Sequence, residues 1–384
     1  MKKSIRALFA AVTVAMTLVV TACGSSGSAG SGSQSGGGDI VKIGMIADLS
    51  GKSALSGKFK KMGAELAVEE INADGGVGGK KLQLVIEDNL GTQEGSVSAF
   101  QKLVADPDIV AVIGSIRSTN NKAMDQFVKK AGVPVAMGGT NVGLTKELKN
   151  KWYFRFRPHD GYAAESIANF TADKLGLKKI AIVYDTDAFG TGGKDLLLEN
   201  YKKKGITPVD VEGYTTGTKD FTPFLENIRK SGAEAVNTYM TNSEDAAQMV
   251  NQIRQLGLNV QLIGSPSIAQ EVTLKLAGDK LNGVYSVNDF ALDQSPETIA
   301  FVEKFRKKYG ENPDVYTAWA YDALHMFSKI IAENGTDPEA IRTAMLNIKD
   351  YKGAEGTYSF DEYGDGLHSY SIVKVENGKI VTQK

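Results

Sequence analysis

The stretch Val41-Lys42-Ile43-Gly44-Met45-Ile46-Ala47, with the segments Gly57–Asn72 (GKFKKMGAELAVEEIN), Asp74–Gly79 (DGGVGG) and Leu82–Glu87 (LQLVIE) that follow it, decides the fold. The first is a short apolar run of strand type. The second places Phe59, Met62, Leu66, Ala67 and Ile71 at helical spacing. The third is a cluster of turn residues, and the fourth is again a strand. A strand, a helix and a second strand in this order predict parallel strands with the helix packed across them.

The same alternation runs outward from this unit. Glu94–Ala105 reads as helix, Ile109–Gly114 as strand, Ser118–Ala131 as helix and Val133–Met137 as strand. The rhythm then restarts with helix Tyr162–Leu175, strand Lys179–Tyr184, helix Gly193–Lys204, strand Pro208–Gly213 and helix Thr222–Ser231. Strand Ala235–Tyr239, helix Glu244–Leu256 and strand Gln261–Ile263 continue it. The tail differs: helices at Pro296–Tyr309, Tyr316–Asn334 and Pro338–Asn347 precede short strands near Gly356–Phe360, Tyr370–Val375 and Lys379–Val381. The pattern predicts an α/β protein of two doubly wound units in series, with a tail that completes both. A chain that crosses repeatedly between two open sheets makes a hinge, and the cleft between such sheets is where ligands bind.

The N-terminus has its own logic. Met1–Arg6 is basic, Ala7–Val20 is apolar or small, and Val20-Thr21-Ala22-Cys23 closes it in the pattern of a bacterial lipobox. The apolar run is shorter than the roughly 20 residues a membrane span needs, so residues 1–22 are expected to be a lipoprotein signal peptide. Cys23 is the one cysteine of the chain, and its expected lipidation would account for an otherwise odd thiol in an exported protein. Residues 23–38 form a Gly/Ser tether, too poor in apolar side chains to fold. Removing Lys2, Lys3 and Arg6 with the signal leaves 41 basic against 45 acidic residues, a balance that argues against a nucleic-acid partner. The expected location is the outer side of the cell membrane, lipid-anchored, either periplasmic or at the outer face.

Catalytic and cofactor signatures are missing from the sequence. His159, His325 and His368 are far apart, without metal-ligand spacing. No Gly-x-Ser-x-Gly elbow occurs. Gly75–Lys80 lacks the first glycine and the closing Ser/Thr of a phosphate loop, and Gly190–Gly193 lacks the third glycine of a dinucleotide loop. The expectation is a binding protein, with no enzyme activity, cofactor or metal.

The residues Ile43–Gly51 (IGMIADLSG), Gly63–Val77 (GAELAVEEINADGGV), Glu87-Asp88, Val112-Ile113-Gly114 with Ser118, Gly132-Val133-Pro134 and Arg157-Pro158-His159-Asp160 recur in order along the chain. With Tyr184-Asp185, Phe189-Gly190 and Ala320–Ala323 they make it resemble the type I periplasmic binding proteins, in particular the leucine/isoleucine/valine-binding branch of ABC importers. The resemblance implies two lobes joined by three crossovers that close like a Venus flytrap. It places lobe 1 at 39–158 plus 288–365 and lobe 2 at 159–287 plus 366–384. It implies a monomer that delivers an amino acid, branched-chain or small and polar, to a permease and ATPase complex. Binding of another carboxylate or an amide, or a role in ligand sensing, remains the alternative.

Ser118 and Thr119 stand where a helix starts after a strand. They suit an N-cap, and equally a site at which free N–H groups receive a carboxylate. Gly138-Gly139-Thr140-Asn141 follows the next strand and offers close backbone approach with a hydroxyl and an amide. The resemblance implies that these two loops hold the α-carboxylate. It makes Ser118, Thr119, Gly139, Thr140 and Asn141 candidate ligand contacts, joined by Arg117 just before the helix, Asn242 in the facing loop, and Tyr162, or Phe189, as an apolar wall. Trp319 and Tyr321 are expected to pack as helix core. The chain departs from the branch in three places: no aromatic stands near Leu55-Ser56-Gly57 to close over the ligand, Asn242 stands where the second-lobe loop has an aromatic, and Gly264-Ser265-Pro266-Ser267 carries no acid where the family neutralises the ligand's ammonium. Asp160, Asp185 or Asp289 can substitute, Thr241-Asn242-Ser243 can take a polar side chain, or the ligand can lack an ammonium.

Overall fold

The computed structural model describes residues 40–383. The expected signal segment, Cys23 and the tether lie outside the described residues. Strand β1 (Ile40–Ala47) is buried along most of its length, as an apolar run covered on both faces by helices must be. It pairs in parallel with β2 (Lys81–Asp88) on one side and β3 (Ile109–Ile113) on the other. β4 (Val135–Met137) and β5 (Tyr153–Arg155) extend this sheet, in the order β2-β1-β3-β4-β5. Its crossovers carry α1 (Ala54–Ala73), α2 (Gln93–Val104), α3 (Ser118–Ala131) and the short α4 (Gly143–Lys146).

The second sheet begins with β6 (Ile180–Asp185) after α5 (Asp160–Asn169) and a π-helical turn at Phe170–Lys174. β7 (Asp210–Tyr214), β8 (Ala235–Tyr239), β9 (Gln261–Gly264) and β10 (Tyr285–Asn288) follow, alternating with α6 (Ala188–Lys203), α7 (Thr222–Ser231), α8 (Ser243–Gln255) and α9 (Glu271–Ala277). Next come α10 (Pro296–Tyr309), α11 (Val315–Asn334), α12 (Pro338–Leu346) and the hairpin of β11 (Tyr351–Lys352) and β12 (Thr357–Tyr358). Finally β13 (Ser371–Glu376) pairs antiparallel with β10, and β14 (Lys379–Thr382) with β13, so the second sheet reads β14-β13-β10-β9-β8-β6-β7.

The chain passes from the first sheet to the second after β5; after β10 it returns to the first with α11, which packs on β1 and α1, and after β12 it goes back to the second with β13. The tail therefore serves both sheets. Buried side chains of α11, including Trp319, Ala323 and Phe327, pack with β1 and α1 of the first sheet, whereas Val373 and Val375 of β13 join the core of the second. α1 and α11 approach closely at Gly63, where a Cβ would run into the Thr317 carbonyl oxygen.

The alternation seen in the sequence is present, with five additions. α4, β5, α9, β10 and β11 escaped the reading because each is short, and β10 carries the polar Ser286 and Asn288 in its four residues. α6 starts five residues before Gly193, because the Asp187 side chain accepts the Gly190 N–H and caps the helix there. No described helix is long and apolar enough to cross a membrane.

Candidate functional site

The C-terminal ends of β3 and β4 deliver two loops to the same place. Gly114 leaves β3, and the chain enters α3 at Ser118. Gly138 leaves β4 and leads to Thr140. The loops touch: the Asn141 N–H donates to Ser118 Oγ at 3.1 Å. A Cβ on Gly139 would meet Ser118 Cα at 3.1 Å and Asn121 Nδ2 at 2.7 Å, so glycine is what lets them close up. Because Ser118 Oγ accepts from Asn141, its own proton is left to donate elsewhere.

A narrow cavity lies in front of these loops. From the first sheet and its helices, Ile116, Arg117, Ser118, Thr140, Arg157 and Tyr316 line it. From the second, Phe189, Met240, Thr241, Pro266 and Ser267 face them. One side thus presents hydroxyls, two guanidinium groups and the N-terminus of α3, whose unpaired N–H groups and dipole favour an anion. The other side is largely apolar.

The two halves meet directly around this cavity. The Ala188 N–H donates to Thr119 Oγ1 at 2.9 Å, and Asn141 Nδ2 donates to the Ala188 carbonyl at 2.7 Å. A Cβ on Gly192 would collide with that same Asn141 amide. Arg117 Nη1 donates to Ser53 Oγ at 3.0 Å, and Ser53 Oγ donates to Asn242 Oδ1 at 2.9 Å. Arg117 Nη2 reaches Thr216 Oγ1 at 3.3 Å and Asp187 at 3.8 Å. These bonds join the two halves across the cavity.

The sequence candidates therefore separate. Ser118, Thr140 and Arg117 line the cavity. Thr119 and Asn141 spend their polar groups on Ala188, and Asn242 spends its carbonyl on Ser53. Gly139 is packed behind the loop. Tyr162 is stacked on His159 at 4.2 Å, with His368 at its edge, and is not among the lining residues; Phe189 takes the apolar wall instead. Trp319 is fully buried.

The segment without an acid has a visible use. Ser267 Oγ donates to the Met240 carbonyl at 2.6 Å, and Ser265 Oγ accepts the Met240 N–H at 3.2 Å. These hydroxyls brace the loop that carries Met240 and Thr241. Thr241 in turn donates to Asp187 at 2.7 Å. None of the three substitute acids lines the cavity. Asp289 is held by Arg157, through Nε at 2.7 Å and Nη2 at 3.1 Å. Asp185 accepts from Thr216 Oγ1 at 2.6 Å, and burial, with Asp187 beside it, raises it to about 7. Asp160 sits behind Thr140 and under the Tyr239 hydroxyl, and burial raises it to about 7.

Thr241, named in the sequence as able to take a polar side chain, does line the cavity, whereas Arg157, Ile116, Met240, Ser267 and Tyr316 were not among the sequence candidates. Met240 and Thr241 follow the C-terminal end of β8, where open α/β sheets gather ligands, and that position was a usable signal. Arg157 and Tyr316 come from distant parts of the sequence, and only the fold joins them. Among the described residues no cluster of His, Cys, Asp and Glu is placed to hold a metal ion.

Comparison with known proteins agrees with this geometry. The chain is 29% identical over 346 residues to a Leu/Ile/Val-binding protein homolog of Brucella melitensis, covering 89% of this chain and 93% of the relative. It is 26% identical over 356 residues to the leucine-, isoleucine-, valine-, threonine- and alanine-binding protein of Pseudomonas aeruginosa, covering 92% and 94%. The structure superposes with a TM-score of 0.82 and 27% identity on the branched-chain amino acid transporter substrate-binding protein LivJ of Streptococcus pneumoniae in complex with isoleucine, covering 90% of this chain and all of that one. Residues 40–379 match the profile of the periplasmic binding protein family, and the chain belongs to that family.

Proposed function

We propose that this protein is the extracytoplasmic solute-binding component of an ABC importer and holds an amino acid, branched-chain or small and polar, between its lobes. The observation that carries the reading is the cavity between the two halves, with Ser118, Thr140 and the start of α3 on one wall and Phe189, Met240 and Pro266 on the other. Such a pair of walls suits a carboxylate at one end and an apolar body at the other. The names of the relatives support it. In this reading Ser118 and Thr140 take the carboxylate, Arg117 closes the mouth, and Thr119, Asn141 and Asn242 hold the closed form. Residues 39–158 with 288–365 move as one lobe and 159–287 with 366–384 as the other. The protein binds and releases without chemical turnover, works as a monomer, and is held at the membrane by lipid on Cys23 while a permease and ATPase complex receives its cargo.

A second reading is favoured by one observation. No Asp or Glu side chain lines the cavity, and a buried ammonium without a full set of partners costs several kcal/mol. A carboxylate without an ammonium meets no such cost. A thermal-shift comparison of L-isoleucine with its 2-keto acid on the refolded chain separates the two. A ligand at about 100 times its dissociation constant adds about 2.7 kcal/mol. A shift with the amino acid and a smaller one with the keto acid supports the first reading. The reverse order supports the second, and no shift with either removes both.

A further inference from the structure

Lys60 is a lysine of α1 with 1% of its surface exposed, and the binding reading gives it no task. Its ammonium donates to the Ile46 carbonyl at 2.7 Å and to the Gly114 carbonyl. These carbonyls lie near the C-terminal ends of β1 and β3, directly under the loop that runs to Ser118. The ammonium also lies 4.8 Å from the ring centre of Trp319. That ring is what a Cβ on Gly138 would meet, at 2.8 Å. Lys60 and Trp319 together therefore prop both loops that carry Ser118 and Thr140.

We propose that Lys60 is a positioning residue for the anion site, a buried cation beneath the two loops whose proton is taken up when a carboxylate binds above it. The inference rests on the reading that Ser118 and Thr140 receive a carboxylate.

Two observations support a role for the charge beyond a purely structural one. Both carbonyls can be satisfied by a neutral amine, which still has two N–H donors, so the third proton is not needed to hold the loops. Burial also lowers this ammonium to about 7, so it can change state near neutral pH. The charged group that faces it is Asp48 at the end of β1, on which Arg117 and Asp88 act in turn. β1 and β3 offer main-chain carbonyls, and α11 offers the neutral indole. A bound carboxylate adds negative charge nearby, favours the protonated amine and raises its pKa. Affinity is then highest where Lys60 is charged in the free protein, and it falls as pH rises through the free and bound values. Asp160 behind Thr140 and Asp185 beside Asp187 are pushed to about 7 as well and act with the same sign, so the test must tell the three apart.

The test is calorimetric titration of the full chain with L-isoleucine at about pH 6 and about pH 8.5, in buffers of different ionisation heat. If binding raises Lys60 by about one unit, affinity falls about tenfold across this range with proton uptake. Lys60→Gln keeps two donors without the charge. It should bind about tenfold more weakly than wild type at low pH, with the slope reduced. Lys60→Arg keeps the charge and should lose the slope while retaining affinity. Asp160→Asn should keep the Lys60 part of the proton uptake. Wild-type affinity and slope in Lys60→Gln would overturn the proposal while leaving the binding reading intact. If neither Lys60 variant folds by thermal melt, proton uptake persisting when Asp160→Asn and Asp185→Asn are combined supports the proposal, and its loss there overturns it. No heat with isoleucine overturns the amino-acid reading. The same pH series with sodium propionate, read by thermal shift, then decides Lys60: a shift that shrinks at high pH supports it, and a flat or missing shift overturns it.

Discussion

Arg157 and Asp289 are 132 residues apart in sequence and form a two-bonded ion pair with almost no exposure to solvent. Arg157 follows β5 and Asp289 follows β10, so the pair ties together the first two passages between the sheets at the wall of the cavity. Breaking such a pair by removing one charge leaves the other buried without compensation, which costs about 3–5 kcal/mol. Asp289→Asn should therefore lower the unfolding free energy by that order in urea titration, far more than an exposed Asp→Asn change, and should weaken ligand binding as well. Unchanged stability would mean that water or another acid compensates Arg157. At this scale the sequence disclosed only half of the site. Ser118 and Thr140 were legible because each follows a strand end, where backbone geometry alone makes a binding place. Arg157 was not legible as a lining residue, because its orientation depends on an acid supplied more than a hundred residues later. Tyr162 was misplaced for the same reason: nothing local says that His159 rather than a ligand will stack on it.

Between elements, the contact of α1 with α11 shows packing overruling propensity. An Ala in place of Gly inside a helix ordinarily gains about 1 kcal/mol. At Gly63 the added methyl would press into the Thr317 carbonyl, and forcing atoms into a filled contact costs about 1–3 kcal/mol. Taking about 2 kcal/mol for the clash less about 1 for propensity, Gly63→Ala should thus destabilise the protein by about 1 kcal/mol in thermal or chemical unfolding, against the sign that helix propensity gives. A stabilised variant would show that α11 moves aside at little cost. The glycine was visible in the sequence as part of a family-like motif, but its reason was not, since α11 lies some 250 residues downstream. Long periodic helices such as α1 and α11 were read correctly in type. Four-residue β10 was missed, because alternation over so short a span, with Ser286 and Asn288 in it, carries no distinguishable period.

For the whole molecule the question is what holds the two lobes together once a ligand is inside. The Thr119 hydroxyl and the Asn141 amide grip the N–H and the carbonyl of Ala188, and neither bond contributes to the core of either lobe. A single neutral hydrogen bond is worth about 0.5–1.5 kcal/mol. Thr119→Val, similar in shape but unable to accept, should weaken ligand affinity between about twofold and tenfold. It should leave the melting point of the ligand-free protein unchanged, and X-ray scattering should show a larger fraction of open molecules at a fixed ligand concentration. A lowered melting point without ligand would instead place the bond in the folded core. The contact is also made to main chain, which every amino acid except proline supplies in full. Side-chain drift at position 188 therefore leaves the latch intact, while the neighbouring Phe189 and the Met240 wall are free to be reshaped. If the lobes close as proposed, cargo preference can be rewritten over evolutionary time without the closing motion having to be invented again.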